Sequence, residues 1–216
     1  MLTRFDEYLL HQTPEPLAHP VSMDRNIYDR CWFGGFTDDA TTYFAVSLGL
    51  YPNRHVLDGA FSLVRGGEQM ATFASKRASP AAREDMQVGP LGIEVIEPMR
   101  RLRVRLADQA HGFLADLVFT ANSACVEEDR QILRRGATTW MDVTRFTQFG
   151  RWEGEIVADG HRIAIDPAHV AGIRDRSWGR RNVGEPDAGA PPGAPQVFFL
   201  WAPLVWDDEA TLAVFF

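Results

Sequence analysis

Apolar residues between Thr42 and Trp178 fall in short runs at every second position, set off by turn-forming residues. The runs lie at 42–50, 56–65, 69–75, 91–96, 102–106, 113–121, 151–157, 162–165 and 170–177. A period of two is that of a strand with one face buried, and no run shows the 3.6-residue period of an amphipathic helix. Leu102, Val104 and Leu106 alternate with Arg101, Arg103 and Arg105, which predicts one dry and one wet face for that strand. Arg65-Gly66-Gly67-Glu68, 108–112 and Ala158-Asp159-Gly160-His161 sit where hairpin turns are needed, the last with the Asp-Gly step of a type I′ turn. The pattern predicts an all-β protein with antiparallel strands in a meander. So many short strands avoid exposed edges best by closing, which favours a lipocalin-like barrel over an open sheet.

Outside this region the pattern changes. Residues 1–41, broken by Pro14, Pro16, Pro20, Gly34-Gly35 and Asp38-Asp39, read as an N-terminal arm, with 42–183 as the barrel. Residues 184–195, rich in Gly, Ala and Pro, read as a linker. Residues 196–216 read as the first two strands of a second β-barrel, joined by the turn at 206–209. A two-stranded apolar hairpin is not stable alone, so it is expected either to belong to a longer chain with a second barrel or to pack on the first.

Composition narrows the function. With 216 residues, 45% of them hydrophobic, the chain can bury a core, and 22 basic against 29 acidic residues give −7, far from the basic footprint of a nucleic-acid binder. Cys31 and Cys125 stand far apart, too few for a disulfide framework, which suits the cytoplasm. The most apolar run, 197–206, is interrupted by Pro203 and too short to span a bilayer, so no integral membrane segment is expected. Phosphate-binding loops, dinucleotide fingerprints, nucleophile elbows and paired-histidine metal motifs are absent from the sequence, so neither cofactor nor metal is expected.

Three strings could carry chemistry. In Ile173-Arg174-Asp175-Arg176-Ser177-Trp178-Gly179, an extended backbone puts Asp175 with Ile173 and Ser177 on one face and Arg174, Arg176 and Trp178 on the other. If the Asp175 face lines an apolar cavity, the carboxyl keeps its proton to higher pH and serves as an acid; if an arginine faces it, the carboxylate is structural. Trp140, Phe146 and Trp152 either line a hydrophobic cavity, where their π faces stabilise a cation, or form core. Tyr51-Pro52-Asn53-Arg54, with Asp58 nearby, is either a polar cluster at a barrel mouth or a simple turn.

The stretch from Thr144 to Trp178, with the glycine-rich strand 150–156, the Asp-Gly hairpin and the string Gly172…Asp175…Trp178-Gly179, resembles the carotenoid 1,2-hydratase (hydroxyneurosporene synthase) or AttH-like superfamily of tandem lipocalin-like barrels. The likeness is nearest to an actinobacterial and sphingomonad branch. That superfamily carries Asp-His-x-Trp-Gly near the end of its first barrel and an aromatic strand opening the second, matched here by Phe198-Phe199-Leu200-Trp201. Arg176 replaces the histidine and cannot trade protons. The resemblance implies a hydro-lyase or isomerase acting without a cofactor on an apolar unsaturated ligand, isoprenoid-like or polyketide-like. It carries over Asp175 as acid and Trp178 as cation stabiliser; beside them Arg176 is the candidate orienting group, and Trp140, Trp152, Tyr51, Phe146 and Trp201 are the candidate ligand-binding residues. The alternative is a carrier of the same ligand without turnover.

Overall fold

The structure is a computed structural model that describes residues 2, 7–79, 82–183, 200–206 and 208–215. The chain divides between Arg181 and Asn182 into two compact units. The first is built from β1 (Ile27–Thr37), β2 (Thr42–Tyr51), β3 (Val56–Arg65), β4 (Glu68–Arg77), β5 (Gln87–Val88), β6 (Leu91–Glu97), β7 (Arg101–Asp108), β8 (Phe113–Ala121), β9 (Val126–Arg135), β10 (Thr138–Ala158), β11 (His161–Ile165) and β12 (Val170–Arg180). All pair antiparallel in one sheet, so the expected all-β, barrel-type fold is what forms.

The connectivity is two meanders, β1 to β4 and β5 to β8, joined through β10 and β12 in the order β4-β3-β2-β1-β12-β10-β8-β7-β6-β5. The 21-residue β10 is the spine: β9 and β8 pair in turn along one edge, β12 and β11 along the other. The ring does not close by hydrogen bonds, because β4 and β5 are the two ends of the path. Side chains close it instead: Val88 and Leu91, 0% and 1% exposed, pack at Gly59 of β3.

The expected arm stops at Asn26. Ile27–Thr37 is a strand hydrogen-bonded to β2 on one side and β12 on the other, so the barrel begins well before residue 42. What remains of the arm is tied down by Asn53, whose side-chain amide donates to the carbonyls of Ser22 and Asp24, and by Arg54, which donates to Arg25. Elsewhere the alternation reads true. Leu102, Val104 and Leu106 are buried while Arg103 and Arg105 face outward to Asp116 and Glu94. Asp159 and Gly160 both take positive φ, 50° and 73°, as a type I′ turn requires.

Inside, the core is aromatic. Trp152 is fully buried, with edge-to-face contacts to Phe33, Phe44 and Phe119, and its indole N–H donates to the Gly34 carbonyl at 3.0 Å. Gly172 lies beneath it, where a Cβ would come within 2.7 Å of the indole. Among the described residues, no helix is long and apolar enough to cross a membrane.

The second unit contains a hairpin of β13 (Leu200–Val205) and β14 (Ala210–Phe215), with Trp201 opposite Val214 and the turn closed by Trp206 N–H to Glu209 O. The expected linker at 184–195 and the strand start at 196–199 lie outside the described residues.

Candidate functional site

β12 presents two different surfaces, and its register with β1 and β10 fixes which is which. Residues directly opposite in an antiparallel pair share a face. Arg174 stands opposite core residue Phe33, and Arg176 opposite core residue Cys31, so Arg174, Arg176 and Trp178 face the barrel interior. Asp175 stands opposite Trp32 of β1 and Thr147 of β10, on the face turned away from the core.

That outward face holds a buried polar basin. Arg30, Ser177 and Arg145 form a row across β1, β12 and β10, with Asp175 two residues along. Arg145 Nε lies 3.0 Å from Asp175 Oδ2, but its N–H is not aligned for a hydrogen bond. Glu128 of β9 braces the far side, 3.6 Å from the Arg145 guanidinium, and accepts a 2.7 Å hydrogen bond from Thr147. Tyr28 Oη, Arg30 Nε and Arg145 Nε are buried here without a hydrogen-bond partner, and the Ser177 hydroxyl, itself buried, interacts with the Asp175 carboxyl and favours its ionised form. Left unmet, each such atom carries a desolvation penalty of about 1–3 kcal/mol. The Asp175 side chain is 12% exposed, and burial raises its pKa above the ordinary carboxylate value against the opposing pull of Arg145 and Arg30, with Glu128 adding to the rise.

Tyr51 belongs to the same outward face. Its hydroxyl sits over Gly49 beside Asp58, and burial raises the pKa of both the phenol and that carboxyl. Arg30 links this pair electrostatically to Asp175. Sequence reasoning passed over Arg30 and left Tyr28 in the arm, because β1 is buried on both faces and shows no alternation to mark it as a strand.

The other expected site residues go elsewhere. Arg176 does not orient Asp175: it faces inward and pairs with Asp29. Trp178 is inward at the barrel mouth, 42% exposed, in edge-to-face contact with Phe146 at 6.4 Å. The Arg174 guanidinium, 5.1 Å from the Phe146 ring centre, donates to Gln148 at 2.7 Å. Trp152 is core rather than cavity lining, for the packing given above. Trp140 sits at a β-bulge between Thr139 and Met141, where the β9 pairing slips. Trp201 is in the second unit. Asp175 and Tyr51 are therefore brought to one face, while Arg176, Trp178 and Phe146 share the opposite one.

Gly179 ends the string with φ +136°, and a Cβ there would lie 2.2 Å from the Asp142 carbonyl oxygen. Gly179→Ala is expected to lower stability by about 1–3 kcal/mol through this strain, measurable as a lower urea midpoint with unchanged slope. Among the described residues no group of three or more His, Cys, Asp and Glu side chains could hold a metal ion.

The inward face opens at the mouth into a groove of about 1350 Å³, with Trp178 and Arg176 on one wall and residues of the arm, Leu10 to Ser22, on the other. The groove is continuous with solvent, unlike a sealed lipocalin cavity.

Two solved structures share this fold. A crystal structure of a candidate AttH protein from Nitrosomonas europaea matches with a TM-score of 0.54 and 14% identity, over 83% of this chain and 59% of that one. Kievitone hydratase from Nectria haematococca matches with a TM-score of 0.53 and 18% identity, over 72% of this chain and 48% of that one. The chain thus spans about half to three-fifths of the length of these structures, and at such identities the likeness is one of fold. No curated protein matches the sequence. A family model described as a family of unknown function, DUF8625, matches residues 2–216, and the chain belongs to that family.

Proposed function

We propose that the protein is a hydratase-type enzyme, a hydro-lyase or isomerase (cyclase), that acts without a resident cofactor on an apolar unsaturated small molecule by proton donation from Asp175. The observation that carries this reading is the basin around Asp175, where burial raises the pKa of the carboxyl and Tyr28, Arg30 and Arg145 hold buried polar atoms without hydrogen-bond partners. Such an acid can protonate an alkene: the π pair takes the carboxyl proton, a carbon–hydrogen bond forms, and the positive charge is left on the neighbouring carbon. Arg145 and Arg30 stabilise the carboxylate that results, and Tyr28, Trp32 and Tyr51 are the aromatic groups on that face. Water adding to the cation gives hydration, and the proton it sheds restores the acid; internal capture gives a ring, and loss of a different proton gives an isomer. The fold shared with kievitone hydratase supports a hydratase-like role. An isoprenoid-like or polyketide-like substrate is the class we assign.

A second reading, a carrier of an apolar ligand without turnover, is favoured by the groove at Trp178, which needs no acid and lies on the opposite face from Asp175. Native mass spectrometry of the protein from its own host, with extraction of bound small molecules, supplies the test substrate. Incubating that molecule with protein in H₂¹⁸O and D₂O is expected to add one labelled water, or to exchange carbon-bound hydrogen without mass gain as water. Recovery of the molecule unlabelled in both solvents sinks the enzyme reading and leaves the carrier.

A further inference from the structure

We infer that the inward groove is a binding site for a small aliphatic carboxylic acid, its carboxylate held by Arg83 together with Arg176. This stands independently of the chemistry assigned to Asp175, which is on the other side of the sheet. The argument starts from an imbalance of partners. Among the cations lining the groove, Arg180 is paired with Asp24 and Arg130 with Asp142. Arg176 takes the carboxylate of Asp29.

Arg83 has no carboxylate of its own. Its interactions are a long hydrogen bond from Nη2 to the Ala18 carbonyl, 3.4 Å, and the field of the same Asp29, while its Nε is buried without a hydrogen-bond partner. Two guanidinium groups therefore draw on one aspartate. Burial lowers the Arg83 pKa against the opposing pull of Asp29. A guanidinium is a rigid planar fork that matches a carboxylate bidentately.

Arg83, Asp29 and Arg176 form a shared wall. Behind it lies a cavity of about 60 Å³, too small for a chain; in front lies the groove, with Leu10, Leu17, Val21 and Trp178 among its lining residues. The charged head of the ligand is thus fixed at the wall and its apolar body runs outward along the groove. A phosphate or a polar metabolite would satisfy the arginines but leave the apolar lining wet; a neutral lipid would do the reverse.

The test is isothermal titration calorimetry of the full chain with decanoate and with its neutral isostere 1-decanol. A hydrogen bond to a charged partner corresponds to about 10- to 100-fold in affinity, so decanoate should bind at least about tenfold more tightly than decanol. Arg83→Met, which keeps the apolar stem and removes the fork, should erase that advantage and leave decanol binding unchanged. Equal affinity for the two ligands, absence of decanoate binding up to about 1 mM, a weak limit for a specific site, or a decanoate advantage that survives Arg83→Met overturns the proposal. The comparison of ligands on the unaltered chain decides the matter even if Arg83→Met fails to fold.

Discussion

Trp152→Ala is expected to destabilise the protein by about 3–5 kcal/mol, the range for removing a large aromatic from a packed core. The indole is wholly buried and stands at the centre of an edge-to-face cluster, with ring centres 5.8 Å from Phe33, 5.3 Å from Phe44 and 5.3 Å from Phe119. Alanine would leave a cavity that these rings cannot fill without abandoning their mutual geometry. It would also orphan the Gly34 carbonyl, which the indole N–H satisfies in the barrel interior. Trp152→Phe separates the two contributions: the ring contacts largely persist, and the lost hydrogen bond costs about 1–3 kcal/mol when an acceptor is left buried and unpaired. Against a total stability of about 5–15 kcal/mol, the alanine variant is near the limit of folding at all. Urea denaturation followed by circular dichroism measures both. An alanine variant with an unchanged midpoint would mean the indole lines ligand space, as the sequence left open, and not core.

What the sequence shows of this fold depends on how local the cause is. The strand at Arg101–Asp108 is legible because one side faces core and the other water, so the alternation of Leu102, Val104 and Leu106 with arginines is undisturbed. The Asp159-Gly160 turn is legible because its backbone angles suit those two residues. β1 is not. It is a central strand with Cys31 and Phe33 buried inward and Tyr28 buried outward, so alternation is lost, and Gly34-Gly35 mimics a turn. Gly35 is there for space: a Cβ would fall 2.1 Å from the Phe44 ring. β9, Val126–Arg135, is charged along most of its length and becomes a strand through backbone pairing with β10, a tertiary cause that composition hides.

The candidate site follows the same division. Asp175 stands out within a local string, but the face it occupies depends on Trp32 and Thr147 opposite it, and the basin is completed by Tyr28 and Arg30, brought in from the far end of the sequence. Local alternation separates Asp175 from Arg176 and Trp178. Only register with distant strands says which group faces inward.

Asp175→Asn is expected to lower turnover by about 10²- to 10⁴-fold, the usual contribution of a positioned general acid, while the fold persists. The amide keeps the shape of the carboxyl and can hydrogen-bond into the basin, but it has no proton to give at neutral pH. Ligand affinity should change little by comparison, so the loss falls on kcat rather than KM. Stability supplies an independent readout with a definite sign. Burial raises the folded-state pKa of Asp175 above its unfolded value. The protonated group's contribution is therefore fully present below the unfolded pKa and is lost as pH rises through the folded one. Asparagine does not ionise, so the variant escapes that loss, and its stability relative to the parent should rise as pH climbs from the unfolded carboxylate pKa through the folded one. If the Arg145 contact dominated instead, folding would favour the carboxylate, the variant would lose ground only below the unfolded carboxylate pKa, and its relative stability would be flat above it. Urea midpoints for both proteins across that range distinguish a proton donor in a desolvated basin from one half of a structural ion pair.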